Sequence, residues 1–174
     1  ISMLHKPQAQ FGMLLYSAST SLTHLARLLP PHILTGFAER LKNALVEGVQ
    51  SLLTHPNITD FQRAMIALPT KEGGLGMVSA YDVMLPAYIA SHGMVIRQLK
   101  KTEWPESAPI AQLLVAKSSL TDAIYQFNVM VTESTSQVKF QIIDQARPDI
   151  WPSQSVLSKI QFQIRADDLQ KHML

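Results

Sequence analysis

The only glycine-rich stretch of the chain is Gly73-Gly74-Leu75-Gly76. Glycine-rich loops before helices can bind phosphate through their backbone N–H groups, but a P-loop requires Lys and then Ser or Thr after its last glycine. Met77 and Val78 follow here instead. A dinucleotide-binding motif requires a preceding strand and a third glycine, and Ser79 stands in that place. We therefore interpret Gly73, Gly74 and Gly76 as a structural turn that lets two helices approach each other.

A second group of residues that could bind a ligand is the basic cluster of Arg97, Lys100 and Lys101. The cluster falls at the predicted C-terminus of a helix, where cations are favoured by the helix dipole. The alternative is contact with the phosphates of a nucleic acid. The net charge of the chain is only +2, which is a weak signal for nucleic-acid binding, since that function usually requires a strong basic patch.

Catalytic and metal-binding patterns are not apparent in the sequence. The six histidines lack the helical spacing of a zinc site, and the chain has no cysteine for a zinc site or a disulfide. The one adjacent acidic pair, Asp167-Asp168, would point in diverging directions on a helix. We therefore predict that the chain is not an enzyme and binds no metal or cofactor. The remaining enzymatic alternative is a site assembled in space from a histidine with Asp82 or Ser91.

The elements that would position these residues are predicted to be helices almost throughout. Apolar residues recur at intervals of three and four over 15–29, 32–53, 59–68, 80–101, 109–132, a short segment ending near 146, and 153–174. We predict an all-α fold, an irregular bundle of six or seven helices. The core stripe of the first helix is Leu15, Ala18, Leu22, Leu25 and Leu29. That of the second is Ile33, Phe37, Leu41, Ala44 or Leu45, Val49 and Leu52.

Local signals predict where several helices begin and how the chain divides. Thr59 with Gln62, and Ser79 with Asp82, have the spacing of residues that cap helix N-termini. A loop at Trp104-Pro105 is the predicted boundary between two small helical subdomains, residues 1–103 and 104–174.

The composition leaves two interpretations of the surface open. Charged residues make up 16% of the chain, against about 25% in typical proteins, and eight methionines accompany the leucines and isoleucines. Either the surface is rich in neutral polar residues, or a partner covers an apolar face. A homo-oligomer is one such possibility. We expect an intracellular protein that does not span a membrane, because no apolar run is long enough. The first residue is Ile1, which suggests a fragment, a processed product or an added leader sequence.

Two motifs give the chain a family resemblance. The segment Leu68-Pro69-Thr70-Lys71-Glu72-Gly73-Gly74-Leu75-Gly76-Met77-Val78-Ser79, followed by Pro86-Ala87-Tyr88-Ile89-Ala90-Ser91, resembles a stretch of LINE-type, non-LTR retrotransposon reverse-transcriptase-like proteins. Leu28-Leu29-Pro30-Pro31 before a helix with Phe37 also fits that pattern. The resemblance covers about residues 14–91.

The resemblance implies a helical domain that follows the polymerase palm. Such a domain packs on the polymerase and contacts the template or product backbone, so nucleic acid and the rest of a parent polyprotein are the expected partners. The polymerase aspartates of that family are not in this chain, and the resemblance therefore assigns no catalytic residue. Under this hypothesis Arg97, Lys100 and Lys101 are the expected phosphate contacts. The alternative hypothesis is a helical protein-interaction module with an apolar groove.

Overall fold

Helices dominate the computed structural model, which describes residues 6–53, 57–102, 106–134 and 142–171. These ranges contain eight α-helices and no strand, which confirms the all-α prediction. The helices are α1 (Pro7–Met13), α2 (Leu25–Leu28), α3 (Pro31–Leu52), α4 (Asp60–Ala67), α5 (Ala80–Lys101), α6 (Ser107–Val115), α7 (Ser118–Glu133) and α8 (Gln154–Lys171). A π-helical turn, Leu14–Ala18, and two short 3-10 turns, Thr70–Glu72 and Pro148–Ile150, join them.

Helix α5 is the centre of the bundle and packs against α2, α3, α6, α7 and α8. Its buried Tyr88 and Ile89 belong to the largest apolar cluster, which also contains Phe127 of α7 and Leu157 of α8. The cluster therefore joins residues on both sides of the predicted boundary at Trp104. Residues 103–105 lie outside the described ranges, and the division into two subdomains stays a prediction.

The predicted first helix, 15–29, is not continuous. Helix α1 passes into the π-helical turn, the backbone unwinds over 19–24, and Leu22 adopts a φ of +66°. The cause lies in a run of hydroxyl residues. For example, the hydroxyls of Thr20 and Ser21 donate to the carbonyls of Tyr16 and Ser17, each at 3.1 Å. Such bonds compete with the helical ladder of the backbone.

The predicted helix 109–132 is likewise two helices, α6 and α7. The break falls at Lys117, whose ψ of 120° is extended and whose carbonyl accepts the N–H groups of Leu120 and Thr121. Serines at 118 and 119 favour a helix start over a helix interior. These breaks raise the number of helices above the six or seven expected.

The short helix predicted to end near Ala146 is not present in its described part, 142–146. There the side chain of Asn128 accepts the N–H of Ile143 at 2.7 Å and donates to its carbonyl at 2.8 Å. This amide takes the place of a backbone partner and holds the segment against α7. The rest of the predicted helix, 135–141, lies outside the described residues.

The predicted caps are found. The Thr59 hydroxyl accepts the N–H of Gln62 at 3.2 Å, and the Gln62 side chain accepts the N–H of Thr59 at 2.9 Å. This reciprocal pair forms the N-terminus of α4. Ser79 is the N-cap residue of α5.

A close helix contact in the core depends on Gly93 of α5. A Cβ at this position would lie 2.9 Å from the indole of Trp151, which is buried. The indole N–H of Trp151 donates to the Asp144 carbonyl at 2.7 Å. Gly93 thus allows the chain before α8 to lie directly on α5. No helix within the described residues is both long and apolar enough to cross a bilayer.

Candidate functional site

The segment that follows α4 folds back onto the end of that helix. The backbone N–H groups of Leu75, Gly76 and Met77 donate to carbonyls at 2.8–3.1 Å, and the acceptors are Met65, Leu68 and Ile66, respectively. The last carbonyls of a helix have no partner within the helix. The glycine segment supplies those partners, so the N–H groups that would bind a phosphate are directed at the helix end.

Each glycine in this turn has a specific reason to be there. Gly73 and Gly76 have φ values of +83° and +76°, in the left-handed region that favours glycine. A Cβ at Gly74 would lie 2.1 Å from the Leu68 carbonyl oxygen, far inside contact distance. The geometry agrees with the interpretation of Gly73, Gly74 and Gly76 as a structural turn.

Asp82 lies three residues after Ser79, the N-cap residue of α5, and its side chain is fully buried. One carboxylate oxygen, Oδ2, accepts the backbone N–H of Ser79 at 3.0 Å and its hydroxyl at 2.8 Å. The other, Oδ1, accepts Nζ of Lys42 from α3 at 3.0 Å and a guanidinium nitrogen of Arg165 from α8 at 2.8 Å. One carboxylate therefore joins α3, α5 and α8.

The charge balance around Asp82 keeps the group ionised. Burial opposes ionisation, but the nearby charges of Arg165 and Lys42, with the hydrogen bonds from Ser79 and Lys42, outweigh it and hold the pKa below its ordinary value. The spacing to Ser79 was readable from the sequence. The ion pairs were not, because Lys42 and Arg165 lie 40 and 83 residues away and no local pattern links them.

A cavity of about 320 Å³ opens beside this ion cluster. Lys42 and Arg165 line it, together with Asp168 and the apolar residues Ala64, Ala67, Leu68 and Leu169. With Asp82 beneath, two cations face two carboxylates, and the charges of the lining cancel. Its chemistry selects neither an anion nor a cation.

The basic cluster divides into one anchored residue and two exposed ones. A guanidinium nitrogen of Arg97 donates to the Trp151 carbonyl at 2.9 Å, which ties the segment before α8 to α5. Lys100 and Lys101 are exposed in the last turn of the helix. Lys100 also lines a cavity of about 600 Å³ between α5, α6 and the 145–148 segment. Only the two lysines therefore have the exposure that a phosphate contact needs.

Ser91 and His92, which could contribute to a hydrolytic site, form hydrogen bonds with backbone carbonyls. The Ser91 hydroxyl donates to the carbonyls of Arg27 at 2.6 Å and Tyr88 at 2.9 Å. Nδ1 of His92 lies 2.9 Å from the same Tyr88 carbonyl. Burial lowers the pKa of His92, the bond to the Tyr88 carbonyl opposes this, and nearby Lys117 adds to the decrease. Ser91, His92 and Asp82 make no hydrogen bond to one another.

The core stripe predicted for α3 is wrong in its first two turns. Leu34 and Ala38 are buried there, whereas Ile33 and Phe37 are 55% and 64% exposed. The predicted Leu45 and Val49 are buried in the second half of the helix. The reason is tertiary: α2 and α5 meet α3 on the side of Leu34 and Ala38, which form one cluster with Ala26 and Ala87.

Large apolar side chains on α2 and α3 remain exposed as a result. Ile33 and Phe37 lie one turn apart on α3, and Leu25 and Leu28 lie three residues apart on α2, where Leu28 is 70% exposed. We call Leu25, Leu28, Ile33 and Phe37 the α2–α3 face. Sequence reasoning missed it because an exposed apolar stripe has the same helical spacing as a core stripe.

Comparisons with known proteins do not assign the chain to a family. No protein-family model, curated protein or solved structure matches it. The candidate sites therefore rest on their own geometry and on the sequence motifs.

Proposed function

We propose that this chain is a non-catalytic helical packing domain that contacts another protein through the α2–α3 face. The observation that carries the proposal is the exposure of Ile33 and Phe37, side by side on α3. In the retroelement hypothesis the contacted body is the rest of the polymerase. In the alternative hypothesis it is a separate protein. Both place the domain inside the cell and assign it no reaction.

The rigidity of the face supports this proposal. Helix α2 packs closely on α5, and the Ser91 hydroxyl of α5 donates to the Arg27 carbonyl at 2.6 Å. Pro30 and Pro31 restrict the backbone between α2 and α3. A preorganised surface loses little conformational entropy on binding.

The energy available from this face supports a docking role. Fully burying one large apolar side chain contributes roughly 1.5–3 kcal/mol. Ile33 and Phe37 lie one turn apart on α3, so a partner that covers one can cover both, which singly scattered exposed residues do not offer. Exposed apolar residues elsewhere, such as Leu113 on α6 and Tyr125 on α7, serve as comparisons.

Binding of the dye 1-anilinonaphthalene-8-sulfonate tests whether the face is a continuous apolar surface. We expect the folded chain to enhance the dye fluorescence, and the double variant Ile33→Ser/Phe37→Ser to lose most of that enhancement. The matched control is Leu113→Ser/Tyr125→Ser. Equal loss in both variants, or no enhancement in the unmodified chain, would contradict the proposal.

Phosphate contact by Lys100 and Lys101 is a second candidate function. Its support is that both ammonium groups are exposed at the end of α5, in a protein whose motifs resemble a nucleic-acid polymerase family. Fluorescence anisotropy with a primer–template duplex at low salt tests it. We expect Lys100→Ala/Lys101→Ala to weaken binding and Lys71→Ala/Lys159→Ala to leave it unchanged. Binding that both pairs affect equally would argue against a site at α5.

A further inference from the structure

The chain that carries the α2–α3 face is free of acidic residues over a long stretch. The first aspartate or glutamate in the sequence is Glu39, whereas Lys6 and Arg27 precede it, together with three histidines. The whole chain has nearly equal numbers of acidic and basic residues, 13 and 15. The charge asymmetry is therefore local to the part of the chain that forms the face.

A cation lies against the face on α3. The guanidinium carbon of Arg40 lies 4.6 Å from the centre of the exposed Phe37 ring. Arg27 is exposed on α2, but its Nε donates to the side-chain oxygen of Gln154 on α8 at 3.1 Å, so its guanidinium is directed towards α8. Glu39 lies two residues from Phe37. Because a helix turns about 100° per residue, Glu39 is on nearly the opposite side of α3 from Phe37.

We infer that the partner of the α2–α3 face is an acidic amphipathic segment, with apolar side chains on the face and a carboxylate against Arg40. This inference rests on the proposed function. A symmetric pairing of two copies through this face would bring the Arg40 side chains of both copies to the same interface, which is unfavourable. A single-stranded nucleic acid would need aromatic platforms for its bases, and Phe37 is the one aromatic residue among the four that form the face.

The probe is a synthetic amphipathic helix of about 18 residues, with leucine and phenylalanine on one side and glutamate on the other. A second peptide has lysine at every glutamate position, and a labelled oligothymidylate represents single-stranded DNA. Binding to the full chain is measured by fluorescence anisotropy, and sedimentation velocity measures self-association in parallel. We expect the glutamate peptide to bind about tenfold more tightly than the lysine peptide, with a difference that decreases as salt increases.

Two charge-reversal variants locate the effect. Arg40→Glu should reduce or reverse the preference between the peptides, while Lys159→Glu, with the same net charge, should preserve it. Arg40 and Lys159 are both exposed, so both variants are expected to fold. Retention of the full preference in Arg40→Glu would overturn the inference.

Other outcomes separate this inference from the proposed function. If both peptides bind equally and Ile33→Ser/Phe37→Ser removes the binding, the docking face stands and the acidic partner is overturned. Self-association lost in that double variant would instead identify a second copy as the occupant. Binding of the oligothymidylate but neither peptide would overturn a protein partner. If nothing binds and the chain is monomeric, both the inference and the proposed docking function fail.

Discussion

The segment 68–82 and the segment 25–40 use their residues in opposite ways. In the first, the glycine turn donates its N–H groups to the end of α4, and the Asp82 carboxylate accepts four hydrogen bonds. In the second, large apolar side chains on α2 and α3 remain exposed. The residues most suggestive of ligand chemistry are thus satisfied within the fold, while residues that resemble core are available for contact.

The glycine turn is thus unsuited to binding a phosphate, and the exposed side chains of α2 and α3 are suited to binding a partner. A phosphate loop requires free N–H groups, and those of Leu75, Gly76 and Met77 are already bonded. A docking surface requires apolar area without a partner, and the α2–α3 face provides it. Substitutions in the glycine turn and at Asp82 should therefore cost stability, whereas substitutions of the exposed apolar side chains on α2 and α3 should cost little.

The largest effect within segment 68–82 is expected for Gly74→Ala. The new Cβ would meet the Leu68 carbonyl oxygen at 2.1 Å, and the obstructing atom is backbone, which cannot move without breaking the turn. We expect the free energy of unfolding to decrease by about 3 kcal/mol, measured by urea denaturation. Gly36→Ala is the control, because its nearest contact on α3 is 4.0 Å away; there alanine should stabilise the helix by up to about 1 kcal/mol. Similar stability of the two variants would contradict the account of the turn.

Removing the charge of Asp82 should have the next largest effect. Asp82→Asn loses charge-assisted bonds to Lys42 and Arg165, so we expect a decrease of about 2 kcal/mol at neutral pH. The folded-state pKa is below the ordinary value of 3.8, so the ionised group stabilises the fold above that value. The contribution is lost as pH falls through the lower folded pKa. Urea titrations should therefore show the wild type and variant converging in acid; a constant gap would contradict the ion pairs.

A smaller pH effect is expected from His92. Its folded pKa is below 6.5, so the unfolded chain takes up a proton first as pH decreases. Stability should therefore fall from about pH 6.5 until the folded pKa is reached. His92→Gln should flatten this part of the stability profile. A profile that His92→Gln leaves unaltered would show that the imidazole is not held neutral.

The smallest effect on stability is expected at the face itself. Phe37→Ala should change the free energy of unfolding by no more than about 0.5 kcal/mol, because the side chain is largely exposed. Leu34→Ala, one helical turn away and buried, should cost about 2–5 kcal/mol. Chemical denaturation of both variants compares the two sides of α3. A large loss for Phe37→Ala would show that Phe37 packs in the core, and the docking proposal would fail.

Several local features could be predicted because their causes are local. The start of α3 at Pro30-Pro31, the Thr59–Gln62 cap and the start of α5 after Ser79 depend on residues within one turn of each other. The breaks at 19–24 and at Lys117 were missed. Apolar periodicity continues through both, whereas hydroxyl bonding to the backbone and serine at a helix start decide them.

The sequence by itself determined that the chain is helical and that a tight glycine turn precedes α5, because spacing and backbone conformation are properties of neighbouring residues. Only the tertiary structure decided which apolar stripe is core. The contacts of α2 and α5 with α3 bury Leu34 and Ala38 and leave Ile33 and Phe37 exposed. It also decided the role of Asp82, since Lys42 and Arg165 reach it from distant helices. Periodicity fixes the angle between residues on a helix, but only the packing partners fix which side is covered.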